Sequence, residues 1–164
     1  MRKMVLLALL LAACGKEAAT PADNGGAAGR KLEQAARAAG IVDDPGRVAP
    51  TGVFGAESDR VCVLPQGVDY RIGASVDYGE AQRCVARGTA SGQGRLSVDL
   101  GKGCRFTAEV DGERIAFPAV LPGACDRACT GRASLAALSA ARLSEAAAES
   151  AGTIGADGAP LCAD

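Results

Sequence analysis

The chain has 164 residues, a formal net charge of −1 and no histidine. A charge this close to balance, with the Lys and Arg residues scattered, excludes the basic field that nucleic-acid binding requires. Without histidine there is no Ser-His-Asp or Cys-His nucleophile system, no His-ligated metal and no imidazole base. In chain order, Arg2 and Lys3 come first and are followed by the apolar run Met4 to Leu11. That run spans only ~12 Å as a helix, against a bilayer core of ~30 Å. It is too short to cross a membrane and suits the apolar region of a secretory signal.

The next residues, Leu11-Ala12-Ala13-Cys14-Gly15, resemble the lipobox of bacterial lipoproteins. The resemblance implies that residues 1–13 are a signal peptide and are removed. It implies that Cys14 takes a diacylglycerol thioether, and that the new amine is acylated with a fatty acid such as palmitate. Gly15, where an Asp would signal retention in the inner membrane, implies the outer membrane, facing the periplasm. The covalent lipid on Cys14 is the only prosthetic group expected, and membrane lipid is the first expected partner. Each buried CH₂ of such a chain contributes ~0.8 kcal/mol to anchoring. Loss of Arg2 and Lys3 leaves 16 basic and 19 acidic residues and a net charge near −3.

Residues 14–29 contain no large apolar side chain and read as a flexible, lipidated tether. A single β-rich domain is expected over residues 30–152. It opens with a short helix, Arg30 to Ala39, whose Leu32, Ala35, Ala36 and Ala39 share a stripe. Gly40 suits the position just past its end. Asp43-Asp44-Pro45-Gly46 reads as a turn.

The period then changes to two. Ile72, Ala74, Val76 and Tyr78 alternate with polar or small residues, as do Leu96, Val98 and Leu100, then Cys104, Phe106, Ala108 and Val110, then Ile115 and Phe117. Residues 61–64 and 83–90 add two strands of weaker alternation. Short turns rich in Gly join them, and Asp111-Gly112 predicts a two-residue hairpin with both residues at positive φ. Such short connections require antiparallel neighbours. Residues 61–118 therefore read as a six-strand antiparallel meander, which must curl into a barrel or sandwich to bury its apolar face.

Beyond it lies an Ala-rich stretch. It reads either as a closing strand near 131–137 followed by a short helix capped by Ser144 and ended near Gly152, or as one helix over 133–150. Residues 153–164 form a Gly- and Ala-rich tail with Cys162 as its anchor.

Of the seven cysteines, lipidation of Cys14 leaves Cys62, Cys84, Cys104, Cys125, Cys129 and Cys162. An even set outside the cytoplasm predicts three disulfides. Cys84 and Cys104 come close if the 91–94 turn closes a hairpin. Cys125-x-x-x-Cys129 has one residue too many for a thioredoxin-like redox centre, and a zinc site lacks a second close ligand pair. Among the carboxylates, Asp69, Asp77, Glu80, Asp99, Glu109, Asp111 and Glu113 could supply an acid-base pair. Their placement on wet strand faces and turns predicts solvated charges.

The small, disulfide-stapled β architecture resembles the membrane-bound inhibitors of c-type lysozyme. Those insert a Ser-Gly-containing loop into the lysozyme cleft, and Ser91-Gly92-Gln93-Gly94-Arg95 is a loose echo of that loop. The family's fuller motif and aromatic content are missing. Three functions follow as expectations. The first is a non-enzymatic, lipid-anchored envelope module that binds an envelope protein or glycan. The second is an inhibitor of a lysozyme-like hydrolase, and the third is a carboxylate-only enzyme.

Overall fold

The computed structural model describes residues 23–39 and 49–163. Cys14, Gly40 and the expected turn at 43–46 lie outside them. The chain divides into two compact units, residues 1–42 and 43–164. In the first, helix α1 runs Asp23–Ala38. It begins seven residues before the expected Arg30, inside the segment read as tether. Its first turns contain Gly25, Gly26 and Gly29, each about 1 kcal/mol poorer than Ala in a helix. That composition hid the start. Leu32 is 74% exposed.

The second unit is an eight-stranded antiparallel barrel. Its strands are β1 (Gly52–Ala56), β2 (Asp59–Gln66), β3 (Asp69–Asp77), β4 (Arg83–Gln93), β5 (Arg95–Asp99), β6 (Arg105–Val110), β7 (Arg114–Ala116) and β8 (Ser139–Ser144). Each pairs with the next, and β1 pairs with β8 to close the barrel. The six-strand meander is therefore β2 to β7. Alternate residues fill the interior: Phe54, Val61, Val63, Ile72, Ala74, Val76, Leu96, Val98, Ala108, Val110 and Ile115 are all at most 2% exposed. Small inward residues such as Ala74, Ala108 and Ala140 let so narrow a barrel pack solid. Tyr78, expected on that face, lies past the end of β3 and is 59% exposed.

The two strands missing from the sequence reading close the barrel. β1 carries two glycines in five residues and no clean alternation. β8 has its pattern inverted: Leu143 points outward and is 60% exposed, whereas Arg142 lies on the inner face opposite Phe54. The guanidinium sits 4.7 Å over the Phe54 ring. It donates to the carbonyls of Gly112, Thr51 and Ala49, and so seals the end where the chain enters.

The expected strand at 131–137 is instead part of the long β7–β8 connection. Ala133, Leu135 and Leu138 are buried, but Ala137 adopts φ 58° and donates to the Pro118 carbonyl. A short 3₁₀ helix, Gly123–Ala128, also belongs to this connection, which covers the barrel's other end. Helix α2, Ala147–Gly152, then ends at the expected glycine. Its N-cap is Ala146 and not Ser144; the Ser144 Oγ instead accepts from the Ala146 N–H in a turn.

The β6–β7 turn also departs from expectation. Only Gly112 of the Asp-Gly pair has positive φ, at 97°. Asp111 keeps a negative φ because its Oδ1 accepts from the N–H groups of both Glu113 and Arg114, which favours a longer Asx-type turn. The β6–β7 ladder is short, with Glu109↔Ala116 as its last pair. The next hydrogen-bonded pair would be Thr107 with Pro118, but proline has no N–H and its carbonyl accepts from the Ala137 N–H. The amides of Arg105 and Thr107 face this gap, and those of Phe106 and Ala108 bond to β5. Amide exchange should therefore be fast at Arg105 and Thr107 and slow at Phe106 and Ala108, as read by NMR. Equal protection at all four would mean that the gap is closed.

Three disulfides staple the fold: Cys62–Cys162, Cys84–Cys129 and Cys104–Cys125. Cys84 and Cys104 are not partners. β5 lies between their strands, and the β7–β8 connection reaches both through Cys129 and Cys125. The Cys125-x-x-x-Cys129 pair is thus split between two strands.

Candidate functional site

The C-terminal segment covers one part of the barrel's outer surface. After α2, residues 153–163 run as a strap over the outside of β2, β3 and β4. Leu161 packs with Cys62, Cys162, Leu64 and Val85 in a second apolar cluster. Gly73 lies directly beneath; a Cβ there would come 2.5 Å from the Leu161 carbonyl oxygen. The strap has polar anchors that composition did not reveal. Arg87 forms an ion pair with Asp157 at 2.9 Å and donates to the Pro160 carbonyl, and the Ser75 Oγ accepts from the Ala156 N–H. The Arg87 hydrogen bond holds the Asp157 carboxyl below the ordinary range.

The strap does not reach the outer wall formed by the end of β4 and by β5, β6 and β7, and that wall is polar. Cross-strand pairing aligns its outward side chains in rows: Thr89 with Asp99 and Arg105, Ser91 with Ser97 and Thr107, and Gln93 with Arg95, Glu109 and Ala116. A shallow groove of about 190 Å³ is lined by Asp69, Thr89, Ser91, Ser97, Asp99 and Arg105. There Asp99 accepts from Arg105 Nε at 2.7 Å and from the Gly101 N–H at 2.8 Å, which holds its carboxyl below the ordinary range.

Nearer the Asp111 turn is a larger cleft of about 360 Å³, lined by Gln93, Gly94, Arg95, Glu109, Val110, Asp111, Arg114 and Ala116. Arg95 and Glu109 face each other at 3.8 Å with side chains 79% and 71% exposed, so neither is committed to the other. Arg114 is steadied by one bond from its guanidinium to the Ser139 Oγ at 3.1 Å.

The residues singled out in the sequence fall as follows. Of Ser91, Gly92, Gln93, Gly94 and Arg95, all but Gly94 are paired within the β4–β5 hairpin, so this stretch is a ladder end and not a projecting loop. Gln93, Gly94 and Arg95 line the larger cleft, while Ser91 belongs to the groove. Among the carboxylates, Glu109 and Asp111 meet in the cleft, and Asp69 and Asp99 meet in the groove. Asp77 and Glu80 sit at the opposite end of the barrel, and Glu113 is in the β6–β7 turn. Burial pushes the Asp59 carboxyl up, but Asp59 lines neither depression. Among the described residues no three Cys, Asp or Glu side chains converge as a metal site, and no helix is long and apolar enough to cross a membrane. Arg114 and Ala116 were not visible as site residues, because only the β5–β6 and β6–β7 registers place them in line with Arg95 and Glu109.

No family model matches this chain, and comparison with curated proteins and with solved structures found no match.

Proposed function

We propose that this protein is a non-enzymatic, lipid-anchored component of the bacterial cell envelope. It would sit in the outer membrane facing the periplasm and hold a polar envelope component, a glycan or a protein, against this polar wall. The observation that carries the reading is the cysteine pattern. The six cysteines of the barrel are all consumed in three disulfides, which suits an oxidising compartment. Cys14, within Leu11-Ala12-Ala13-Cys14-Gly15, is left with no cysteine of its own chain to pair with. A filled barrel interior supports binding on the exterior.

The test is the N-terminus of the protein recovered from a bacterial host. The mature chain should begin at residue 14, carry a lipid-sized mass increment and fractionate with membranes, and Cys14→Ala should release it. A mature chain with an unmodified Cys14 thiol would overturn the anchor.

A further inference from the structure

We propose that the cleft over Ala116 binds a short zwitterionic ligand, a free dipeptide or an amino-acid substituent that carries a carboxylate and an ammonium together. This deepens the reading of the polar wall as the binding face and rests on it. Four charged side chains line the cleft, Arg95 and Arg114 against Glu109 and Asp111, and their charges cancel. A simple anion would meet the two carboxylates there, and a simple cation the two guanidinium groups. A ligand that carries both signs at short spacing is complementary to both.

The parts are preset for this. Arg114 uses one guanidinium nitrogen on Ser139, which steadies it and leaves the remaining donors for a carboxylate. Asp111 is locked by accepting two backbone N–H groups through one oxygen. The Arg95–Glu109 contact is loose and exposed, so a ligand ammonium can take the place of Arg95 beside Glu109. The floor is Ala116, the small residue in the row that also holds Gln93, Arg95 and Glu109. The volume of about 360 Å³ falls at the lower end of small-ligand sites, which run from ~300 to ~1,000 Å³.

The test is NMR titration of the purified full-length mature protein, in detergent if it carries lipid. The probes are alanyl-alanine with both ends free, its N-acetyl form and its C-terminal amide. The free dipeptide should shift the amides of Gly94, Glu109 and Ala116, and each capped form should bind about tenfold more weakly, the factor that ~1.4 kcal/mol supplies. Ala116→Leu should abolish the shifts by filling the floor, with the rest of the spectrum unchanged. Glu109→Gln should remove the preference for a free amine, and Arg114→Gln the preference for a free carboxylate. Equal binding of all three probes, or no shift with any of them, would overturn the proposal. Neither result touches the lipid anchor, which the N-terminal mass tests separately.

Discussion

Replacing Cys62 and Cys162 together by alanine is expected to lower the unfolding free energy by about 4.7 kcal/mol, the largest effect of any single crosslink. The two cysteines are 100 residues apart, so their bond closes the longest loop and removes the most entropy from the unfolded chain. The same argument assigns about 3 kcal/mol to Cys104–Cys125, whose separation is 21. The first bond also holds the strap. Without it, the apolar contact of Leu161 with Leu64 and Val85 rests on the strap's polar anchors, Arg87 with Asp157 and the Pro160 carbonyl and Ser75 with the Ala156 N–H. Domains of this size have ~5–15 kcal/mol in total, so the variant should be marginal. Urea unfolding of both double-alanine variants measures this. A Cys62/Cys162 variant no weaker than the Cys104/Cys125 variant would mean that the strap adds nothing to the barrel.

The second large effect is expected at Arg142. Its side chain is only 10% exposed, and its guanidinium serves the carbonyls of Gly112, Thr51 and Ala49 while covering Phe54. Arg142→Met keeps much of the packing but withdraws every donor. Hydrogen bonds to charged groups contribute ~1.5–3 kcal/mol each, and some of the freed carbonyls regain water, so a loss of about 3 kcal/mol is expected. Arg142→Lys should rescue little, because an ammonium cannot reproduce the planar fork. Arg95→Met, on the exposed wall, should stay within about 0.5 kcal/mol of the parent. Chemical denaturation of the three variants decides the matter. An Arg142→Met protein as stable as the parent would show that this end of the barrel is sealed by other contacts.

Arg142 also explains why part of the fold was illegible. Strand faces are assigned by alternation, and β5 and β6 obey it because each has one dry face and one wet face. β8 breaks the rule at both of its informative positions, with arginine inside and Leu143 outside. The stretch before it, Ala133 and Leu135, alternates because two loop side chains drop onto the barrel end. That alternation pointed to a strand near 131–137, ahead of β8 at Ser139–Ser144. β1 is short and rich in glycine, and it forms because β2 and β8 flank it on both sides. In β3 the burial of Gly73 and Ser75 on the supposed wet face has another cause, the strap that lies over them.

The candidate site was half visible. Gln93, Gly94 and Arg95 stood out as a glycine-rich tip, and Glu109 and Asp111 as carboxylates near a turn. The two groups meet across the β5–β6 hairpin, where the register sets Arg95 opposite Glu109. Arg114 and Ala116 join them through the β6–β7 register, which side-chain alternation alone does not specify.

The sequence by itself determined the β-rich class, the six central strands and their antiparallel order from β2 to β7, the even set of six barrel cysteines and the lack of histidine. These follow from side-chain period, turn length and composition, which are local or additive properties. Tertiary structure alone decided the closure through β1 and β8, the partners of each cysteine, the face covered by the strap and the assembly of the charged cleft. Those depend on which surfaces meet across tens of residues, where the free energy comes from packing and pairing between segments that carry no mark of each other.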